Sequence, residues 1–304
     1  MTNAKPLGQL DAPAYLVLDP RFSDCVVAGG RSERLWTGGS WTEGPAWFVA
    51  DYLLWSDIPN DVMLRWDAAA NTTSVFRQPS DGSNGNTVDR QGRLITCEHN
   101  TRRVTRTDTD GLITVLASHF KGKRFNAPND VVEKSDGTIW FSDPHYGSGP
   151  TYEGARELSG CHVYRLDLET GDTRQMTTDM VMPNGLAFSL DERQLFVADT
   201  GSTSYPDGPN HIRCFDVGPD QSLTGGEVFA DSNGKLFDGI RFDSEGRLWA
   251  AVQDGVHCYA PDGTLIGKLN LPERAANLTF GPPGWMLVTA STSLYRVPVN
   301  ARAP

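Results

Sequence analysis

One position recurs six times along this 304-residue chain, and at five of its occurrences it carries an oxygen-donor side chain. The five are Glu43 in Glu43-Gly44-Pro45, Asn84 in Asn84-Gly85-Asn86, Asn129 in Pro128-Asn129-Asp130, Asn184 in Pro183-Asn184-Gly185 and Asp238 in Phe237-Asp238-Gly239. Behind each comes a stretch alternating apolar and polar residues, a turn, and a second apolar strand. Ala46-Trp47-Phe48 with Leu53-Leu54-Trp55 and Ile240-Arg241-Phe242 with Arg247-Leu248-Trp249 show the pattern. The spacing is 14 residues from Glu43 to Asp57, from Asn129 to Asp143 and from Asp238 to Val252, and 15 from Asn184 to Asp199. A sixth copy, Leu278-Thr279-Phe280 with Trp285-Met286-Leu287-Val288, has Ala276 in the slot. Residues at one point of a repeat occupy one place in its architecture, so repeats set in a ring bring the five onto its axis.

The turn chemistry says what the repeats are. Asp136-Gly137, Asp262-Gly263, Gln91-Gly92 and Glu245-Gly246 are hairpin dipeptides between β-rich runs, and long helical periodicity is missing. The fifth repeat parses into four strands, Gly239 to Asp243, Arg247 to Val252, Gly255 to Tyr259 and Leu265 to Leu269. The expectation is an all-β fold, a six-bladed β-propeller of four-stranded antiparallel blades with an axial metal site. A linear solenoid is the alternative, but its end copies usually differ as caps, whereas the first copy here holds Glu43. Residues 1–24 are expected to form an N-terminal extension and 25–304 a single propeller domain. Cys25 to Ala28 and Arg34 to Trp36 are expected to pair with the last blade and close the ring. Two stretches exceed what hairpins need, Tyr146 to Cys161 and Gly201 to Asn210, and both are expected at the rim of the axial pocket.

Charge and composition narrow the partners. A formal net charge of −11 disfavours nucleic acid and anionic membrane, and no apolar run is long enough to span a bilayer. The N-terminus lacks the apolar core of a secretory signal, and the five scattered cysteines read as buried thiols. A cytoplasmic setting and a small-molecule partner fit best; the sequence fixes no oligomeric state.

Two carboxylates and three amides form a donor set suited to a hard divalent cation, calcium first, with zinc, magnesium or manganese as alternatives. Asn-Gly and Asp-Gly are favoured turn dipeptides in their own right, which would account for single slots. Turn preference explains neither Glu43-Gly44-Pro45 nor the constant register before an apolar strand. His99, His145 and Tyr146 follow the second strands of their blades and, with Asn84 and Asn129, are candidate substrate contacts. Either Arg102 or Arg103 could also reach substrate oxygens. Other motifs fail. Asp108-Thr109-Asp110-Gly111 is half of an EF-hand loop, but Arg106 and Ala117 hold its end positions. Gly38-Gly39-Ser40-Trp41-Thr42 lacks the final glycine of a nucleophile elbow. Trp47, Trp55, Trp140, Trp249 and Trp285 recur in strands and are expected to pack between blades.

Over nearly its full length the chain resembles the gluconolactonase family, grouped with the senescence marker proteins (regucalcin). The resemblance is carried by Glu43-Gly44-Pro45, Asn126-Ala127-Pro128-Asn129-Asp130-Val131-Val132, Ile139-Trp140-Phe141-Ser142-Asp143-Pro144, Pro183-Asn184-Gly185-Leu186 and Phe237-Asp238-Gly239. Thr96-Cys97-Glu98-His99-Asn100 with Arg102-Arg103-Val104 is similar to the bacterial gluconolactonases. The resemblance implies a six-bladed propeller that hydrolyses lactones with calcium, or with zinc and other divalent ions. It implies Glu43, Asn184 and Asp238 as metal ligands, Asn129 as the active-site asparagine beside or on the metal, and Asp238 as general base. Ala127 stands where the animal proteins have an arginine, so that substrate contact is not carried over. Glucono-1,5-lactone or a similar aldonolactone is the expected substrate. The alternatives are a promiscuous lactonase or phosphotriesterase, or a calcium-binding propeller without turnover.

Overall fold

The computed structural model describes residues 7–11, 14–146 and 155–304. Among the described residues six antiparallel sheets of four or five strands follow one another along the chain, each beginning at or just after a slot, and a two-stranded ribbon, His119–Phe120 with Lys123–Arg124, lies outside them. Blade one consists of Thr42–Phe48, Tyr52–Asp57, Val62–Asp67 and Thr72–Arg77, and blades two to four open with Ser83–Val88, Val131–Glu133 and Pro183–Phe188. In blade five Phe237–Phe242, Leu248–Val252, Gly255–Tyr259 and Leu265–Leu269 lie close to the boundaries read from the sequence. First strands of neighbouring blades contact one another around the ring, so they are the innermost layer. The fold is a six-bladed β-propeller.

Both ends of the chain close it. Blade six takes Ala275–Phe280, Trp285–Ala290 and Ser293–Pro298 from the C-terminal side and Glu33–Thr37 from the N-terminal side. Leu294 pairs with Trp36, and Val26 bridges to Val299, as expected of these N-terminal segments. Within the stretch read as an extension, Gly8–Gln9 pairs outside Glu33–Thr37 and Tyr15–Val17 adds a fifth strand to blade five.

The apolar residues form six clusters, one in each seam between neighbouring blades. This follows from strands buried on both faces: each blade sends alternate side chains into the seam on either side. Trp140 meets Phe188 of the next blade edge-on, Trp249 meets Phe280, and Trp36 meets Trp55. Trp47 packs partly against the seam between blades six and one. Trp285 departs from the expectation, half-buried under Arg296 of its own blade. Cys25, Cys97, Cys161 and Cys258 are buried free thiols and Cys214 is half-buried. Among the described residues no helix is long and apolar enough to cross a membrane.

Candidate active site

The slot is where inner-strand pairing breaks. Register shifts fall between Glu43 and Ala46, Ser83 and Asn86, Pro183 and Leu186, and Phe237 and Ile240. Bulges of this kind re-aim a side chain out of the sheet, here towards the axis. In blade three the strand starts later, and Asn129 is tied down by its own N–H donating to the Ser142 carbonyl at 2.8 Å.

The residue after the slot is glycine in four blades because the inner strands crowd there. A Cβ on Gly44, Gly85 or Gly185 would land on the backbone of the next blade, and one on Gly239 on the Asn277 side chain. The other two blades place polar residues at this position. Asn277 Nδ2 donates to Glu43 Oε2 at 3.2 Å, and Asp130 accepts from the Arg241 guanidinium of blade five at 3.2 Å.

A second repeated device sets the loop before the slot. Asp57 accepts N–H bonds from Ser40 and Trp41 at 3.1 and 3.2 Å, and Asp143 from Asn126 and Ala127 at 2.8 Å each. Asp199 does the same for Val181 and Met182 at 2.9 and 2.8 Å. Each aspartate ends the second strand of its blade and holds the residues three and two before its slot. The recurrence of Asp57, Asp143 and Asp199 in the sequence is thus a clamp that fixes where Glu43, Asn129 and Asn184 stand.

All five oxygen-donor residues line one axial pocket of about 310 Å³. One wall is Trp41, Ile58, Pro59 and Arg274; the other is Tyr146, Thr200 and Thr203, with His99 beside Asn84. The larger hollow of about 650 Å³ at the opposite mouth is lined by the far ends of the inner strands and holds none of the slot residues. The smaller pocket, which gathers the slot residues, is therefore the candidate site.

Its electrostatics are those of two carboxylates taken out of water. Burial pushes Glu43 well above the usual carboxylate range, and Asp238 opposite pushes it further. Burial raises Asp238 to about 7, against the pull of Arg274, whose guanidinium lies 3.4 Å from Asp238 Oδ2. Burial lowers His99 to about 4, so its imidazole is neutral at ordinary pH. The Tyr146 hydroxyl is raised to about 12 by burial and bonds to Thr200 and Thr203. Asn84 Oδ1 is buried with no hydrogen-bond partner.

Two buried, mutually repelling carboxylates set among carboxamide side chains fit a hard divalent cation. Among the described residues no three His, Cys, Asp or Glu side chains gather in a metal-holding group, so the donors must include carboxamides.

His145 lies outside this lining, its ring between Cys161 Sγ at 3.2 Å and Ser204 Oγ at 3.5 Å. Neither arginine of the Arg102-Arg103 pair reaches the pocket. Arg102 is fully buried, donating to the carbonyls of Phe125 and Ala155, while Arg103 pairs with Glu98 and Asp81. Of the two long loops, Tyr146 and Thr203 reach the lining, and residues 147–154 lie outside the described residues. Sequence reading missed Trp41, Ile58, Pro59, Thr200, Arg274 and Asn277. A signal existed only for Asn277, which stands where four other blades have glycine.

Residues 41–292 match the family model described as SMP-30/Gluconolactonase/LRE-like region. The chain belongs to this family. It is 30% identical to a gluconolactonase of Zymomonas mobilis, over 91% of this chain and 84% of that one. The solved structure of a gluconolactonase from Xanthomonas campestris is 33% identical and superposes with a TM-score of 0.88, covering 97% of this chain and 98% of its own. A calcium-binding regucalcin from Agrobacterium tumefaciens, 19% identical, shares the fold with a TM-score of 0.72, over 89% and 94% of the two chains. The SMP-30/gluconolactonase match thus spans every slot from Glu43 to Ala276.

Proposed function

We propose that this chain hydrolyses a sugar lactone, glucono-1,5-lactone or a similar aldonolactone, to the aldonic acid with the help of one divalent cation. The observation that carries the reading is the convergence of Glu43, Asn84, Asn129, Asn184 and Asp238 in one pocket. Its substrate class comes from the relatives named gluconolactonase.

Glu43, Asp238, Asn184 and Asn129 would hold the cation, and their all-oxygen chemistry favours calcium, with zinc, magnesium or manganese able to substitute. When bound, the cation supplies Lewis-acid polarisation of the lactone carbonyl and charge compensation for the developing oxyanion. Asp238 orients the attacking water and accepts its proton as the water oxygen bonds to the carbonyl carbon and the C=O pair moves onto oxygen. Collapse of the tetrahedral centre breaks the ring C–O bond, and the departing alkoxide takes the proton back. Asn129 orients the lactone. Asn84, turned by His99, and the Tyr146 hydroxyl would hydrogen-bond to ring hydroxyls. Glu43, gripped by the Gly44 N–H at 2.9 Å and by Asn277, is fixed for a ligand's role and less free to carry protons.

The test is acid release from a panel of five-carbon, six-carbon and non-sugar lactones in weak buffer, with calcium and with chelator. Chelator-sensitive acceleration on an aldonolactone is expected. Rates no faster than spontaneous ring opening, with calcium present, would remove the reading.

A further inference from the structure

Among the described residues lining the axial pocket, Arg274 is the only lysine or arginine. Its backbone stands on a fixed base. The preceding Glu273 is bonded to Thr292, Ser293 and Tyr295 at 2.6 to 2.9 Å, and the Arg274 carbonyl accepts from the Ser291 N–H at 2.9 Å. The guanidinium lies over the Trp41 ring, 4.9 Å from its centroid. Its contact with Asp238 is a loose 3.4 Å, and its buried Nε–H has no acceptor. A guanidinium offers five N–H donors in a planar fork matched to an oxyanion, and here most of that capacity is unspent.

We propose that Arg274 receives an oxyanionic substituent of the ligand, a carboxylate, phosphate or sulfonate remote from the lactone carbonyl, and so sets a preference for acidic sugar derivatives. This rests on the lactone reading of the pocket for its substrate class, but binding tests it without turnover. Calorimetric titration compares gluconate, glucarate and 6-phosphogluconate, which share a carbon chain and differ in the group at the sixth carbon. Each is measured with calcium and with chelator.

The wild-type protein should bind 6-phosphogluconate or glucarate about tenfold or more tightly than gluconate, the scale of one charge-assisted, bidentate contact. The stronger of the two identifies phosphate or carboxylate as the group received. Arg274→Gln should bring all three affinities together, and Arg274→Lys should restore part of the preference through charge without the fork. Equal wild-type affinities, or no measurable binding of either 6-phosphogluconate or glucarate, would overturn the assignment. So would an Arg274→Gln variant that weakens all three acids alike, since that is the result of a structural role. A protein that keeps the preference but opens no lactone would remove the hydrolase reading and leave the anion site standing.

Discussion

His99 Nε2 lies 2.9 Å from Asn84 Nδ2, and that contact decides which end of the amide is free. An amide nitrogen only donates, so the neutral imidazole accepts at Nε2 and carries its proton on Nδ1. The Asn84 oxygen is left as the unpartnered atom in the pocket. His99 is in this sense an orienting residue.

Removing the ring should therefore act on binding. His99→Ala should raise KM for the lactone about fivefold, the worth of one buried hydrogen bond, with a smaller effect on kcat. Because burial holds His99 at about 4, it does not titrate between pH 5 and 9. His99→Gln should leave the shape of the pH–rate profile in that range unchanged; loss of a limb near neutrality would mark His99 as a proton carrier instead.

The axial carboxylates link stability to pH and to metal. Folded Asp238 titrates at about 7 and Glu43 well above its usual range, while both ionise near 4 when unfolded. The folded state thus keeps protons that the unfolded state has released. The pair's contribution is fully present below about pH 4 and is lost as pH rises through about 7. Asp238→Asn, which cannot ionise, should match wild type near pH 4 and exceed it by a few kcal/mol above pH 7 in chelator, about 1.4 kcal/mol for each unit of raised pKa. Calcium should reverse that order at pH 8 and release protons on binding. Thermal melts at several pH values, with and without calcium, check both statements; metal-free melts whose difference does not change with pH would refute the linkage.

The clamp aspartates give a prediction about geometry. In Asp143→Asn, either the amide nitrogen faces one of the two N–H groups now held at 2.8 Å, or one of those bonds is lost. A cost of about 2 kcal/mol is expected, with a fall of about 5 °C in the melting temperature. The loop carrying Asn129 should shift, lowering kcat/KM about tenfold at saturating calcium. Unchanged kinetics with a lowered melting temperature would show that the clamp serves stability alone.

How much of this was legible in the sequence follows from what a repeat determines. Four inner strands break register at the slot and that of blade three starts just after it, so one repeat position carried Glu43, Asn84, Asn129, Asn184 and Asp238 to the axis together. Closure by Glu33–Thr37 was legible for a related reason, since a ring needs a partner for its last blade. The walls were legible only where long loops announced them, at Tyr146 and Thr203. Trp41, Ile58 and Arg274 come from segments around the slots whose direction no period fixes, and His145, adjacent to Tyr146, points to Cys161 instead of the pocket. Arg102 looked like a ligand because it is charged. Its positive φ of 57° and three carbonyl partners show a side chain used to staple the segment beside it.

Asp238 is proposed to activate the water that opens the lactone, and one comparison tests that role most directly. Initial rates of acid release from glucono-1,5-lactone are measured for wild type and Asp238→Asn at calcium concentrations that saturate each. Asn keeps an oxygen donor of nearly the same shape but has no basicity, so kcat should fall by about a hundredfold or more while calcium affinity falls moderately. Asn129→Ala, measured alongside, should raise KM more than it weakens calcium binding. An Asp238→Asn protein with near-normal kcat would contradict the assignment and move the search for the base to Glu43.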